Sequence, residues 1–171
     1  MHHTSKGVYV KFNGNAAKGG IIRNVTYENI YIDRPDSWPI WIGPQQAGIK
    51  RDGQKYDPCS GDPCSLCWPQ TKSATCPGVA GLIDGLTLRN ITINKPESSP
   101  GVIIGNSSVP IRNIVFDGVR FIDPPAHGAF GSDYFHCVGV QGGVARGGTW
   151  PVPPCFTNGS AVARAAGKRH R

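Results

Sequence analysis

Three copies of an internal repeat restrict the folds that this chain can adopt. The copies superimpose without gaps and read IRNVTYENIYI (22–32), IDGLTLRNITI (83–93) and IRNIVFDGVRF (111–121). In each copy an Asn or Gly stands before and in the middle of a run in which apolar and polar residues alternate. Alternation with period two, rich in β-branched and aromatic residues, predicts β-strands. Asn and Gly tolerate the left-handed backbone conformation, so each copy is predicted to be two short strands joined at a corner.

The apolar positions of the template are expected to point inward. They are Val25, Tyr27, Ile30 and Ile32, then Leu86, Leu88, Ile91 and Ile93, then Ile114, Phe116, Val119 and Phe121. The expected corners are Asn24, Gly85 and Asn113, and again Asn29, Asn90 and Gly118. A copy that buries one stripe cannot fold singly and must stack on its neighbours. The repeat therefore predicts an all-β fold, a parallel β-helix; a β-sandwich is the alternative, but its strands usually lack this two-corner template.

The spacing of the copies defines the predicted domain organisation. The second and third copies start 28 residues apart and the first two 61 apart, a difference of 33. We assign that difference to one Cys-rich loop insertion at about 44–76. Residues 1–156 are predicted to form the β-helix, which begins in the middle of a coil, so we expect further coils upstream. The basic segment 157–171 has no hydrophobic period and is predicted to be a disordered tail.

Six cysteines favour an oxidising compartment. The disulfide candidates are Cys59, Cys64, Cys67, Cys76, Cys137 and Cys155. Cys64 and Cys67 also have the C-x-x-C spacing of a zinc site, but a second C-x-x-C is missing, so disulfides are favoured over zinc and no metal is predicted. The segment 149–156 reads as a rigid closure tied to Cys137 that caps the last coil. Glycosylation sequons occur at Asn24, Asn90, Asn106 and Asn158.

Charge and composition exclude several function classes. The formal net charge is +7, but four of the cations lie in the last eight residues: Arg164, Lys168, Arg169 and Arg171. A short basic end is usually solvated, so nucleic-acid binding is not predicted. No apolar run approaches the roughly 20 residues that span a bilayer, and the N-terminal residues lack the apolar core of a signal peptide. The sequence contains no nucleotide-binding loop or calcium loop, so no cofactor is predicted.

Three segments in a fixed order resemble the polygalacturonase family, glycoside hydrolase family 28. They are GVYVKF (7–12), GGIIRNVTYENIYI (19–32) and PIWIG (39–43), within a similarity that spans roughly residues 4–156. The resemblance implies a right-handed, pectin-lyase-like parallel β-helix, truncated at its N-terminal side. It also implies a secreted enzyme that hydrolyses pectin-type galacturonan with inversion at the anomeric carbon. The expected partner is an acidic polysaccharide, and the full-length protein is expected to be a monomer.

The resemblance assigns two substrate-binding positions. The family uses the Arg and Lys of a G-[IV]-R-[IV]-K segment to bind the sugar carboxylate; Lys11 occupies the lysine position and Tyr9 the arginine position. Tyr9 is a departure, because a phenol offers stacking and one hydroxyl instead of a bidentate guanidinium. A solvated Lys11 and a Tyr9 that packs on the outer face are the alternatives. The four tryptophans are read as core or loop packing before sugar stacking.

The catalytic motifs of the family, N-x-D, D-D and G-H-G, do not occur in this sequence. The nearest match, His127-Gly128, is followed by Ala and is read as loop. No catalytic residue is therefore predicted, and this chain alone is expected to be inactive. The alternative function is a non-catalytic carbohydrate-binding or structural β-helix module. An intracellular zinc protein is a third, more distant hypothesis.

Overall fold

The structure is a computed structural model that describes residues 1–12, 20–44, 49–51, 54–56, 81–98, 100–125 and 134–159. Within these residues the chain is all-β, most strands pair in parallel, and there is no α-helix. The strands are β1 (Val8–Phe12), β2 (Ile21–Asp33), β3 (Ile40–Pro44), β4 (Ile49–Arg51), β5 (Gln54–Tyr56), β6 (Leu82–Asn94), β7 (Gly101–Ile104), β8 (Ile111–Arg112), β9 (Val115–Ile122), β10 (Phe135–Val138), β11 (Val140–Gln141), β12 (Val144–Arg146) and β13 (Thr157–Asn158).

Two parallel sheets contain most of these strands. The short sheet has the order β1-β3-β7-β10. The long sheet contains β2, β6, β8, β9, β11, β12 and β13, with β2 paired to β6 at one edge. Each repeat copy supplies strands to the long sheet, and the chain then crosses to the short sheet. The strands β4 and β5 form an antiparallel pair inside the predicted insertion; the rest of that insertion, with its four cysteines, lies outside the described residues.

The long sheet pairs the three repeat copies in the register that the template alignment requires. Tyr27 of the first copy lies opposite Leu88 of the second, and Leu88 lies opposite Phe116 of the third. Ile30 and Ile91 are paired in the same way. Residues at the same template position are therefore the ones that pair in the long sheet.

Both predicted corners are confirmed by the backbone. At the first corner φ is 54° at Asn24 and 73° at Gly85; at the second it is 58° at Asn29 and 71° at Gly118. Gly is also needed at position 85 for space, because a Cβ there would stand 2.7 Å from the side-chain oxygen of Asn24. Asn and Gly therefore alternate along the first corner, since each Asn side chain lies over a Gly of the next copy.

A third corner was not predicted from the sequence. It has a φ of 47° or 48° at His3, Arg34, Lys95 and Asp123. None of these residues is Asn or Gly, so the residue types at these positions do not indicate a left-handed corner. Backbone hydrogen bonds between copies stabilise the corner: the amide of Arg34 donates to the carbonyl of Asn94 at 2.8 Å. Pairing between copies thus offsets the cost of a left-handed conformation at a residue with a side chain.

A fourth, weaker copy follows the third. Val140 pairs with Ile111 and Val144 pairs with Val115, and the backbone turns at Gly142. The inward positions of this copy carry small residues. The copy therefore lacks the alternation of large apolar and polar residues by which the other three were recognised. Phe156 fills the space, since a Cβ on Gly143 would come within 2.6 Å of its ring.

The core lies between the two sheets. Every inward side chain of the second and third copies is at most 5% exposed, as predicted; they are Leu86, Leu88, Ile91, Ile93, Ile114, Phe116, Val119 and Phe121. In the first copy only Ile32 is fully buried, whereas Val25, Tyr27 and Ile30 are half-buried. The pairing partners explain this difference: the described residues pair with the outer edge of β2 only near Asp33, through a bridge from His2.

Candidate functional site

The two predicted substrate-binding residues lie together on the outer face of the short sheet. In β1, Val8 and Val10 are buried while Tyr9 is half-buried and Lys11 is exposed. Successive side chains of a strand point to opposite faces, so Tyr9 and Lys11 share the outward face. The Lys11 ammonium stands 4.7 Å from the centre of the Tyr9 ring, a cation–π contact.

A second lysine, Lys6, joins this pair and was missed by the sequence reasoning. Its ammonium stands 5.1 Å from the centre of the Tyr9 ring. Lys6 precedes β1, so strand alternation gives no information about its direction. Its position depends on the chain path at Gly7, where the amides of Gly7 and Val8 both donate to the carbonyl of Pro39, at 3.0 and 2.9 Å.

Glycine is required at position 7 by close packing. A Cβ there would collide with the side chain of Ile32 and approach the carbonyl of Pro39 at 2.8 Å. This approach brings the chain before β1 close to the segment that leads into β3. A larger residue at position 7 would displace Lys6 from Tyr9.

The electrostatic environment of Lys6 is unusual for a surface lysine. Partial burial lowers the pKa of Lys6, the carboxylate of Asp36 raises it, and the charge of Lys11 lowers it further. The loop that carries Asp36 is tied to this region, since the amide of Asp36 donates to the carbonyl of Thr4 at 3.1 Å. The ammonium groups of Lys6 and Lys11 therefore both contact the Tyr9 ring, and Lys6 is partly shielded from solvent. The negative charge of Asp36 favours the charged form of Lys6, whereas the charge of Lys11 disfavours it.

Trp41 lies opposite Tyr9 in the register of the short sheet but is fully buried. Its indole NH donates to the carbonyl of Pro44 at 2.9 Å, and its ring packs against Trp38 at 5.9 Å. This pair is packing, as the sequence suggested, and is no open stacking platform for a sugar. Trp150 is about half-exposed and contacts Tyr134 edge-on. Trp68 and the His127-Gly128 dipeptide lie outside the described residues.

The carboxylates on the outer face of the long sheet are held by cations. Asp84 lies 3.7 Å from Arg23, and Asp117 lies 3.1 Å from Arg146. Opposite charges alternate along the column Glu28, Arg89, Asp117 and Arg146, which is the favourable arrangement for cross-strand neighbours. These carboxylates stabilise the ladder between copies and are not placed as a general acid and base pair.

Asp33 stands apart from that ladder, at the end of β2. The side-chain amide of Asn94 donates to its carboxylate at 2.7 Å, and His2 contacts it at 2.6 Å. The hydrogen bond from Asn94 lowers the pKa of Asp33, and His2 contributes in the same direction. Asp33 therefore favours its ionised form, the opposite of what a general acid needs.

The disulfide between Cys137 and Cys155 forms as predicted, with Cα atoms 5.7 Å apart. It ties β10 to the segment that carries Phe156. The other disulfide candidates, Cys59, Cys64, Cys67 and Cys76, lie outside the described residues. Among the residues that the structure does describe, no group of three or more His, Cys, Asp or Glu side chains could hold a metal ion.

The four sequon asparagines occupy different environments. Asn24 and Asn90 are the corner residues that the template predicted, and the Asn90 amide donates to the side chain of Asn29 at 2.8 Å. Asn106 lies in a turn, where its side-chain oxygen accepts from the amide of Ser108 at 2.8 Å. Asn158 lies on β13 and is exposed.

Comparison of the chain with protein-family models, with curated proteins and with solved structures finds no match. In the described part of the chain, no helix is long and apolar enough to cross a membrane. The functional inference therefore rests on the residues and their geometry.

Proposed function

We propose that this chain is the C-terminal part of a secreted, polygalacturonase-like glycoside hydrolase, and that Lys11 and Tyr9 form part of its binding surface for an acidic polysaccharide. The observation that carries the proposal is the placement of both side chains on one outward face of β1, in contact with each other. The ammonium of Lys11 would pair with the carboxylate of a uronic acid, while the Tyr9 ring would pack against the sugar.

The fold proposed for the whole chain is a right-handed parallel β-helix of the pectin-lyase type. Two parallel sheets, three columns of left-handed corners and one pass through the long sheet per repeat copy support this architecture. The outward face of the short sheet is open at β1, where Lys11 is exposed, whereas both faces of β3 and β7 are buried. A surface that presents ammonium groups suits a polymer of sugar acids.

The catalytic carboxylates of such a hydrolase are proposed to lie on coils that this chain does not contain. Inverting hydrolysis needs two carboxyl groups about 6.5–9.5 Å apart with room for a water molecule. In this chain Asp84 and Asp117 are held by arginines, and Asp33 is held by Asn94 and His2. Incubation with polygalacturonate is therefore expected to release no new reducing ends.

A non-catalytic carbohydrate-binding β-helix is the second candidate function. Tyr9 favours it, because the residue that replaces the family's arginine keeps a stacking surface but loses the guanidinium that grips a carboxylate. The two candidates share the binding surface and differ in what precedes Met1 in the gene. A transcript that continues upstream through coils with N-x-D, D-D and G-H-G motifs supports the hydrolase; a transcript that starts at Met1 contradicts it and leaves the binding module.

Binding itself is tested by calorimetric titration with the α-1,4-linked trimer of galacturonate, using a neutral glucose trimer as the comparison. We expect the acidic trimer to bind and the neutral trimer to bind more weakly or not at all. Lys11→Gln should weaken binding of the acidic trimer about 5-fold, which corresponds to one exposed ion pair of about 1 kcal/mol. Tyr9→Arg should tighten it by restoring a bidentate donor.

The matched control is Lys95→Gln, which removes an exposed lysine at the third corner of the second copy. Its affinity for the acidic trimer should equal that of the parent. Equal affinity of the parent for acidic and neutral trimers would contradict the proposed recognition of sugar acids.

Secretion is proposed from the disulfide and the sequons together. Expression through a eukaryotic secretory pathway should yield a protein whose mass falls on enzymatic removal of N-glycans. Asn106 and Asn158 are the preferred acceptors, because Asn24 and Asn90 already serve as corners. A secreted protein of unmodified mass would contradict glycosylation at all four positions.

A further inference from the structure

Two lysines contact the same aromatic ring on the outer side of the short sheet. The ammonium groups of Lys6 and Lys11 stand 5.1 and 4.7 Å from the centre of the Tyr9 ring. Cations within about 6 Å of a ring centre are attracted to it, but two cations at one ring also repel each other. The protein holds them together through the tight approach of Gly7 to Pro39.

We propose that Lys6 is a second anion-binding residue, and that Lys6 and Lys11 together bind one carboxylate of a sugar acid beside the ring of Tyr9. The inference rests on the proposed function, since it deepens the binding surface assigned there to Lys11 and Tyr9. In this proposal the ammonium of Lys6, which precedes β1, replaces the guanidinium that the family places within the strand.

The chemistry of the cluster suits a carboxylate that lies between two ammonium groups. A carboxylate has two oxygens and about four acceptor directions, so two lysines can each donate to it. The incoming negative charge would reduce the repulsion between Lys6 and Lys11. Because Lys6 is half-buried, its contact with the carboxylate is screened less by solvent than the contact made by exposed Lys11.

The carboxylate of Asp36 acts on the same cluster. Its carboxylate raises the pKa of Lys6, whereas burial and Lys11 lower it. With one aspartate and two lysines, the cluster keeps an excess of one positive charge when all three groups are ionised. Such a balance favours a singly charged ligand group, such as the carboxylate of one uronic acid residue.

The test measures binding of the galacturonate trimer by calorimetry to the full chain and to four variants. Lys6→Met removes the charge and keeps the apolar stem in place, and Lys6→Arg restores a cation. Lys11→Gln serves as the reference for the proposed site, and Lys95→Gln as the control for general charge. Thermal unfolding of each variant confirms that it is folded.

We expect Lys6→Met to weaken binding about 5-fold or more, Lys6→Arg to bind within about 2-fold of the parent, and Lys95→Gln to be unchanged; a 5-fold change corresponds to about 1 kcal/mol. The slope of log affinity against log salt should fall in Lys6→Met. A structural role alone would weaken binding of the acidic trimer and leave that slope unchanged.

Two negative outcomes are distinguishable. If Lys11→Gln weakens binding and Lys6→Met does not, Lys6 is no ligand-binding residue, and the proposed function stands without it. If the parent protein does not bind the acidic trimer at all, the proposed function fails and this inference fails with it.

Discussion

Phe156 covers the last repeat copy of the long sheet, whereas Val25, Tyr27 and Ile30 of the first copy remain half-exposed. At the closed end the Phe156 ring packs on Phe116 with a centroid distance of 5.0 Å, and the Cys137–Cys155 disulfide anchors the segment that carries it. At the other end the described residues reach the edge of β2 only near Asp33.

The two ends use the same strand template, so the difference in burial does not come from the template. A stacked copy is buried by its neighbours on both sides, and a side chain in an end copy keeps only one of them. Phe156 replaces the missing neighbour at the closed end. The first copy has β6 as its main partner among the described strands, so its inward side chains are covered on one side only.

The largest effect is expected from opening the closed end. Phe156→Ala should lower the free energy of unfolding by about 4 kcal/mol, because it removes a buried ring and leaves a cavity over Gly143. Tyr27→Ala, which removes an aromatic ring from the open end, should cost about 1 kcal/mol, in keeping with its partial exposure. Urea denaturation measures both. Equal losses would show that the two ends are equally covered in solution.

Removal of the disulfide should have the next largest effect. The bond closes a loop with a sequence separation of 18, which corresponds to about 3 kcal/mol of stabilisation through the unfolded chain. The double variant Cys137→Ser with Cys155→Ser should therefore unfold at lower urea than the parent. Addition of a reducing agent should bring the urea midpoints of the parent and the variant closer together. An unchanged midpoint in the variant would contradict the anchoring role.

A single pair of isoleucines gives the sharpest comparison between copies. Ile30 and Ile91 occupy the same template position and lie opposite each other, but Ile91 is fully buried and Ile30 is not. Ile91→Ala should cost about 3 kcal/mol and Ile30→Ala about 1 kcal/mol. Denaturation of the two variants under identical conditions measures the difference. A larger loss at Ile30 would reverse the assignment of the open end.

The smallest effect is expected at Asp33, where His2 reaches the edge of the first copy. The pKa of Asp33 is lowered in the folded state by the hydrogen bond from Asn94, so ionised Asp33 favours folding. Its contribution is fully present above the unfolded pKa of about 3.9 and is lost as the pH falls through the lower folded value. Stability measured between pH 6 and pH 2 should fall less steeply in Asn94→Ala than in the parent. Parallel curves would contradict this linkage.

Much of the long sheet was predictable from local pattern. The alternation in 22–32, 83–93 and 111–121 predicted the strands, and the Asn and Gly positions predicted two of the three corners. The register between the copies agrees with the template alignment, because stacked copies of one template pair in parallel at equivalent positions. The Cys137–Cys155 closure was predicted from its prolines and its position after the last recognised copy. Lys11 and Tyr9 of the candidate site were named from the sequence, and their substrate-binding role stays a prediction.

The remaining features depend on contacts between distant segments. The third corner at Arg34 and Lys95 uses residues with no turn preference, and hydrogen bonds from neighbouring copies impose its conformation. The fourth copy was hidden because Gly143 and Ala145 are inward-facing, and the apolar side chain that fills their space comes from Phe156.

The sequence by itself determined which residues form strands, where two corners fall and how the copies align, because these properties arise from the backbone preferences and side-chain alternation of a few adjacent residues. Only the tertiary structure decided that Lys6 joins Lys11 at Tyr9, and that the first copy stays half-covered. Both depend on which segments approach each other across the stack, and a local pattern carries no information about a neighbour that comes from elsewhere in the chain.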